Sequence, residues 1–319
     1  MKKVVLVVVL LIMLCGALYA FVCLQTSQDY IYADRADGRI CDMPVGNTPL
    51  FVTVMPGLQF KLDTGSDMSL LSAKDMALLD SLGYSVREVF GISTGRNGLG
   101  KIMFETKRYR VDLPTYRYDT VTDSLGIVTS SQVPSSLNVL HNVDFVLAPD
   151  DMSVLGIDFL EKFKVEYRFM ASMISLYLDV PDGYEQSIPM FYTRTPINAL
   201  WLGKRYYLSA NVMNRNYKFF IDSGIQRADF KLPFSERIYS KNKLYSDTVV
   251  SFSGRFPAFI DNASWVTIGN RSGRRRVYYY DNDEEIFALN PFNAINQDLV
   301  IDFSGLSIML RPYYNVDPK

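Results

Sequence analysis

Two short stretches carry residues that could do chemistry. Phe60-Lys61-Leu62-Asp63-Thr64-Gly65-Ser66 runs an apolar strand into a carboxylate and breaks at Gly65; Phe219-Phe220-Ile221-Asp222-Ser223-Gly224 repeats the arrangement. An ionised Asp beside a buried strand is costly unless it is hydrogen-bonded. The flanking Thr64, Ser66 and Ser223 can donate, and Gly65 and Gly224 let the backbone turn close to the carboxylate. Two such turns in one chain predict a dyad of Asp63 and Asp222. Adjacent like charges cannot both ionise cheaply, so the pair shares one proton and can activate a water. A single Asp-Thr-Gly is a weak signal, because such neighbourhoods are common in ordinary turns. The elements around each copy must supply the rest.

Composition narrows the chemistry. The chain has 319 residues, 33 Lys plus Arg against 34 Asp plus Glu, and one histidine. Near-neutral charge excludes a nucleic-acid binder driven by bulk charge. The lone His141 disfavours Ser-His catalysis and multi-histidine metal sites, and reads as an ordinary loop residue. Of the three cysteines, Cys15 and Cys23 lie in an apolar leader, leaving Cys41 alone in the folded part. No disulfide framework follows, no paired Cys/His spacing points to zinc, and no metal or cofactor is expected. Abundant Tyr (21) and Phe (20), with frequent Val and Ile runs, favour strands. The expected fold is all-β with a few short helices, long enough for two lobes.

The elements that must position the two Asp residues can be read in order. Lys2-Lys3 precedes an apolar run from Val4 to Leu24 with a poor cleavage site. Residues 1–24 therefore read as a signal peptide or membrane anchor that puts the rest outside the cytoplasmic membrane. Residues 25–47 read as a polar, irregular tether. Thr48–Leu62 reads as a hairpin whose return strand delivers Asp63. Ala73–Leu82 has helical spacing and stops at Gly83. Val86–Phe90 and Lys101–Val111 read as strands joined by a four-glycine tip, whose central Thr94, Gly95, Arg96, Asn97 and Gly98 are candidates for a lid. Ser130–Ser136 reads as loop. Val154-Leu155-Gly156-Ile157-Asp158-Phe159-Leu160 reads as a short strand, a glycine and a short helix. Residues 181–200 read as the linker between lobes.

The second half repeats the first. Tyr206–Met213, a turn at Asn214-Arg215-Asn216 and Tyr217–Ile221 form a hairpin ending at Asp222. Ala288-Leu289-Asn290 aligns with Val154-Leu155-Gly156, and Leu299–Phe303 with Ser307–Leu310 mirrors Val165–Phe169 with Met173–Leu176. Repetition of the same elements in the same order is stronger than either motif alone.

On Leu62-Asp63-Thr64-Gly65-Ser66, Leu70-Leu71 and Val154–Leu160, the chain resembles the retropepsin and pepsin group of aspartic peptidases. The resemblance implies a bilobal acid-protease fold with two pseudo-symmetric lobes, 48–180 and 201–319. It implies catalytic Asp63 and Asp222, turns braced by Thr64, Gly65, Ser66, Ser223 and Gly224, and a flap around Thr94–Gly98. It also implies a peptide or protein substrate and a monomer. Two positions depart from the pattern. Ile225 stands where the family has Ser, Thr or Ala, removing a hydroxyl donor near the carboxylate. Asn290 stands where it has Gly, as the mildest substitute if the backbone needs positive φ. The alternatives are an inactive peptide-binding relative, or activity through first lobes paired between chains.

Overall fold

Helix α1 (Lys2–Thr26) and strands β1 (Ile31–Tyr32) and β2 (Arg39–Pro44) precede a hairpin of β3 (Phe51–Met55) and β4 (Leu58–Leu62). The hairpin forms because apolar residues converge on one face: Val52, Val54, Leu58 and Phe60 are fully buried. It ends at Asp63. After β5 (Leu70–Leu71) comes α2 (Ala73–Ser81), whose first turn is capped by Ser72 Oγ accepting from the Asp75 N–H at 3.1 Å. Strands β6 (Val86–Arg96), β7 (Ile102–Thr122) and β8 (Val128–Leu147) form a meander. Strand β9 (Val154–Leu155), α3 (Ile157–Leu160), β10 (Lys164–Arg168) and β11 (Met173–Tyr177) close the first lobe. These features come from a computed structural model that describes residues 2–26, 31–32, 38–46, 51–96, 102–122, 128–149, 151–193, 204–225, 228–251, 254–280 and 287–312.

The second lobe runs the same way. Strands β12 (Gln186–Thr193), β13 (Arg205–Val212) and β14 (Arg215–Ile221) lead to Asp222. There follow β15 (Phe230–Pro233), a 3-10 turn (Phe234–Tyr239), β16 (Tyr245–Ser251), β17 (Gly254–Ile268) and β18 (Arg271–Tyr280). Strand β19 (Ala288–Leu289), α4 (Pro291–Ile295), β20 (Leu299–Asp302) and β21 (Ser307–Leu310) complete it. Pairing confirms the repeat: β4 runs parallel to β9 as β14 does to β19, and β5 runs parallel to β8 as β15 does to β18. The fold is the bilobal, all-β, pepsin-like one.

The lobes join through one antiparallel sheet in the order β2-β11-β10-β20-β21-β12. Its centre is the β10–β20 pair, where Val165 faces Ile301 and Glu166 faces Val300. The outer strands lie in the stretches read as tether and linker. The expected tether 25–47 holds β2, because Ile40, Cys41 and Met43 bury their side chains. Between them Asp42, also fully buried, accepts from Ser175 Oγ (2.6 Å), the Tyr118 N–H (2.8 Å) and Arg168 (3.1 Å). The expected linker 181–200 holds β12, which pairs with β21 through Gln186–Pro189 and with β13 through Met190–Thr193.

Two further expectations are corrected. Ser130–Ser136 is not loop: it lies within β8, paired with β7, because a two-stranded ribbon is held by its backbone partners whatever the composition. The β13–β14 turn falls one residue earlier than expected, with Met213 and Asn214 at φ 52° and 65°, the twist that two-residue hairpin turns favour. The apolar leader lies in α1, whose described side chains, Val4–Leu18, are exposed. Among the described residues no helix is long and apolar enough to cross a membrane.

Candidate active site

The two Asp turns face each other and are tied together by four buried hydrogen bonds. The Thr64 N–H donates to Ser223 Oγ (2.9 Å), and Ser223 Oγ donates onward to the Leu62 carbonyl (2.9 Å). In reciprocal fashion the Ser223 N–H donates to Thr64 Oγ1 (3.0 Å), which donates to the Ile221 carbonyl (3.0 Å). Each hydroxyl gives one proton and takes one, so it satisfies two backbone groups of the other lobe. A side chain without a hydroxyl could not do this, which is the physical reason for Thr or Ser after each Asp.

The grip brings the carboxylates together. A Cβ on Gly65 would sit 2.6 Å from Asp222 Oδ1 and 3.1 Å from Asp63 Oδ1; a Cβ on Gly224 would sit 2.5 Å from both Asp63 oxygens. Each glycine is thus required because the opposite carboxylate occupies the space a side chain would take. The first pair of distances shares one point, so Asp63 Oδ1 and Asp222 Oδ1 are at most about two hydrogen-bond lengths apart, within reach of one bridging water. Asp63 Oδ1 accepts the Gly65 N–H at 3.0 Å, and Asp222 Oδ1 accepts the Gly224 N–H at 2.9 Å. Burial first, and the neighbouring Asp63 charge second, push the Asp222 carboxyl up to about 7. Lys61, the Gly224 N–H and Lys231 pull in the opposite direction.

Lys61 is the member of the site that motif reading passed over. It is buried at the end of β4, and its Nζ donates to Asp63 Oδ2 at 2.7 Å. The signal was present in the spacing: in a strand, residues i and i+2 share a face, so a lysine two before Asp63 had to point the same way. The equivalent residue in the second lobe is Phe220, packed against an apolar cluster of Ile225, Ala228, Ala258, Tyr278, Tyr280 and Ala288.

The two departures in the second turn have local explanations. Asn290 does not sit at positive φ: its φ is −90°, and it caps α4, accepting from the Phe292 N–H (3.1 Å) and, at 3.4 Å, the Asn293 N–H. Its Nδ2 donates to the carbonyls of Ser223 and Ile225, both at 3.2 Å. Gly156 has no such room, because a Cβ there would lie 2.5 Å from the Met68 carbonyl. The loops also differ in length: the residue facing Val154 is Leu70, seven after Asp63, whereas the residue facing the matching Ala288 is Lys231, nine after Asp222.

The role expected for the hydroxyl at the fourth turn position is also corrected. Ser66 Oγ donates to the Met68 carbonyl (2.8 Å), so it holds the turn and not the carboxylate. Ile225 therefore takes no donor away from Asp222. Its side chain is buried in the cluster beside Phe220, and Asn290 steadies the turn instead.

Of the lid candidates, Thr94, Gly95 and Arg96 lie in β6, facing Phe104, Met103 and Ile102 of β7. Asn97 and Gly98 lie outside the described residues. His141 is on β8, not in a loop, with Nδ1 3.0 Å from Asp112. Among the described residues no cluster of His, Cys, Asp or Glu could hold a metal ion.

No family model matches the sequence, and no curated protein does. Among solved structures the chain is similar to basic 7S globulin from soybean, at 10% identity and TM-score 0.46, over 85% of this chain and 93% of that one. It is similar to EDGP at 9% identity and TM-score 0.47, over 85% and 94%. At such identities and scores nothing about activity, ligands or partners follows from either.

Proposed function

We propose that this protein is an aspartic endopeptidase in which one chain supplies both halves of the dyad. The observation that supports it is the reciprocal Thr64–Ser223 grip, with each carboxylate lying over the other lobe's glycine. A water between the carboxylates attacks the scissile carbonyl carbon and gives a proton to Asp63, while Asp222 gives its proton to the carbonyl oxygen. Collapse of the tetrahedral diol breaks the C–N bond: the amine nitrogen takes the proton from Asp63, and a hydroxyl proton returns to Asp222. The hairpin of β6 and β7 covers an extended peptide as the flap. The exposed apolar side chains of α1 carry the chain to the cell envelope, as a leader or a membrane-associated segment.

The dyad works only with one proton between two carboxyls, so activity forms a bell. With Asp222 raised to about 7, the alkaline limb should fall near neutrality, giving a mildly acidic optimum. Asp63→Asn should abolish cleavage of an unstructured peptide while leaving the circular dichroism spectrum intact; cleavage at the wild-type rate would remove Asp63 from the mechanism. Recovery of full-length chain in the soluble cytoplasmic fraction would count against the envelope location.

One observation favours a second reading, a peptide-binding protein without turnover. The Lys61 ammonium lies 2.7 Å from Asp63 Oδ2 and so occupies one oxygen of the carboxylate that would have to take the proton from water. Peptide binding by the wild type with no bell and no cleavage at any pH would select it.

A further inference from the structure

Lys61 is out of place on the strand pattern. Its neighbours Phe60 and Leu62 are fully buried, and Lys61 itself is only 6% exposed. Backbone pairing holds it rigidly: it faces Phe51 of β3 and Val154 of β9, and its N–H donates to the Ser153 carbonyl at 2.9 Å. A buried ammonium is costly unless paired. Here it lies 2.7 Å from Asp63 Oδ2, with both side chains mostly enclosed (8% and 13% exposed), so solvent screens the pair little.

The surroundings make the dyad asymmetric. Asp63 accepts from the Gly65 N–H on one oxygen and from Lys61 on the other. Asp222 accepts from the Gly224 N–H, and the residue matching Lys61 on its side is the uncharged Phe220. Among the described residues, the other ionisable groups facing the site are Lys231 of β15, whose ammonium lies 4.8 Å from the Tyr280 ring centre, and Tyr280 of β18, whose phenol is raised by burial first and by Tyr278 and Asp222 after it. Behind the first turn Asp158 is engaged by Ser69 Oγ at 2.7 Å and lies within the field of Arg108.

We propose that Lys61 is a resident counter-ion of the dyad, a positioning residue that keeps Asp63 as the charged, proton-accepting carboxylate and so assigns the shared proton to Asp222. This rests on the peptidase reading for its consequence in catalysis, but not for the electrostatics. Since a cation favours the ionised form of nearby carboxylates, removing it should move their titration, and with it both limbs of the pH–rate profile, to higher pH.

The test compares wild type, Lys61→Met, Lys61→Gln and Lys61→Arg as full-length chains in detergent. Two readouts are taken: pH profiles of kcat/KM on one unstructured peptide, and titration of the aspartate carboxyl carbons by carbon-13 NMR. The Met and Gln variants should show the Asp222 titration, and both limbs, moved up by about one pH unit or more, as expected for loss of an opposite charge within a few ångströms. Arg should leave them near the wild-type position. If Met does not fold, Gln, which keeps length and polarity, carries the comparison. An NMR titration unmoved in the neutral variants overturns the inference, whether or not any peptide is cleaved. A moved titration in a chain that cleaves nothing supports it while refuting the peptidase reading.

Discussion

The two Asp turns are built on one plan and stabilised differently. In the first, β9 presses close behind the turn: a side chain at Gly156 would meet the Met68 backbone, and Ile157 donates to the Ser66 carbonyl at 2.8 Å. In the second, the loop is two residues longer, and Asn290 bonds to Ser223, Ile225, Phe292 and Asn293. Around the carboxylates the contrast is one of charge: Lys61 stands beside Asp63 where Phe220 stands in the other lobe. Pseudo-symmetry in the backbone thus coexists with an asymmetric electrostatic environment around the two carboxylates. Both departures from the motif in the second lobe have partners of their own, Ile225 in an apolar cluster and Asn290 in four hydrogen bonds.

The largest effect should come from changing the matched residues Gly156 and Asn290. Gly156→Ala places a Cβ against backbone that cannot rotate away and should cost about 3 kcal/mol or more. Asn290→Gly, the change toward the usual motif, should also destabilise, by about 1–3 kcal/mol, because two buried carbonyls lose their donor. Urea unfolding of both variants measures this. A neutral or stabilising Asn290→Gly would mean that Asn290 fills no structural need.

Thr64→Ala and Ser223→Ala should be close to equal, because each hydroxyl serves two backbone groups across the interface. Each should cost about 1–3 kcal/mol and lower kcat/KM by loosening the carboxylates relative to one another. A marked inequality between the two would show that one lobe carries the grip alone.

A smaller effect distinguishes the carboxylates by pH. Asp222 is raised above its unfolded value near 3.8, so between about pH 4 and 7 the folded protein binds more protons at this site than the unfolded chain. Its contribution to stability is therefore present at low pH and declines as pH rises through that window. Asp222→Asn should raise Tm by a few degrees at pH 7.5 and leave it nearly unchanged at pH 4. An equal gain at both pH values would remove the titration as its cause.

Much of this arrangement was legible in sequence because it is local. Both hairpins, the Ser72-capped helix and the strand–Gly–helix element follow from patterning and turn residues over a few positions. What was not legible depends on partners far along the chain. Strands β2 and β12 are short outer strands whose burial comes from the other ends of the lobes, and Asp42 inside β2 reads as exposed until Arg168 and Ser175 close over it. The Ser130–Ser136 part of β8 is polar, so it offers no period-two signal. Lys61 reads as a surface residue on local grounds; only the shared face with Asp63 marks it as part of the site. Asn290 looks like a damaged glycine until the helix it caps and the Ser223 and Ile225 carbonyls it bonds are seen.

The most direct test of the central claim is the cleavage rate of an unstructured peptide by Asp222→Asn, measured beside Asp63→Asn at the wild-type optimum. If both turns of one chain form the dyad, the two variants should be inactive to the same extent, each losing about a thousandfold or more, because paired catalytic groups act as a unit. Wild-type activity in Asp222→Asn, with Asp63→Asn inactive, would contradict it and point to first lobes paired between chains.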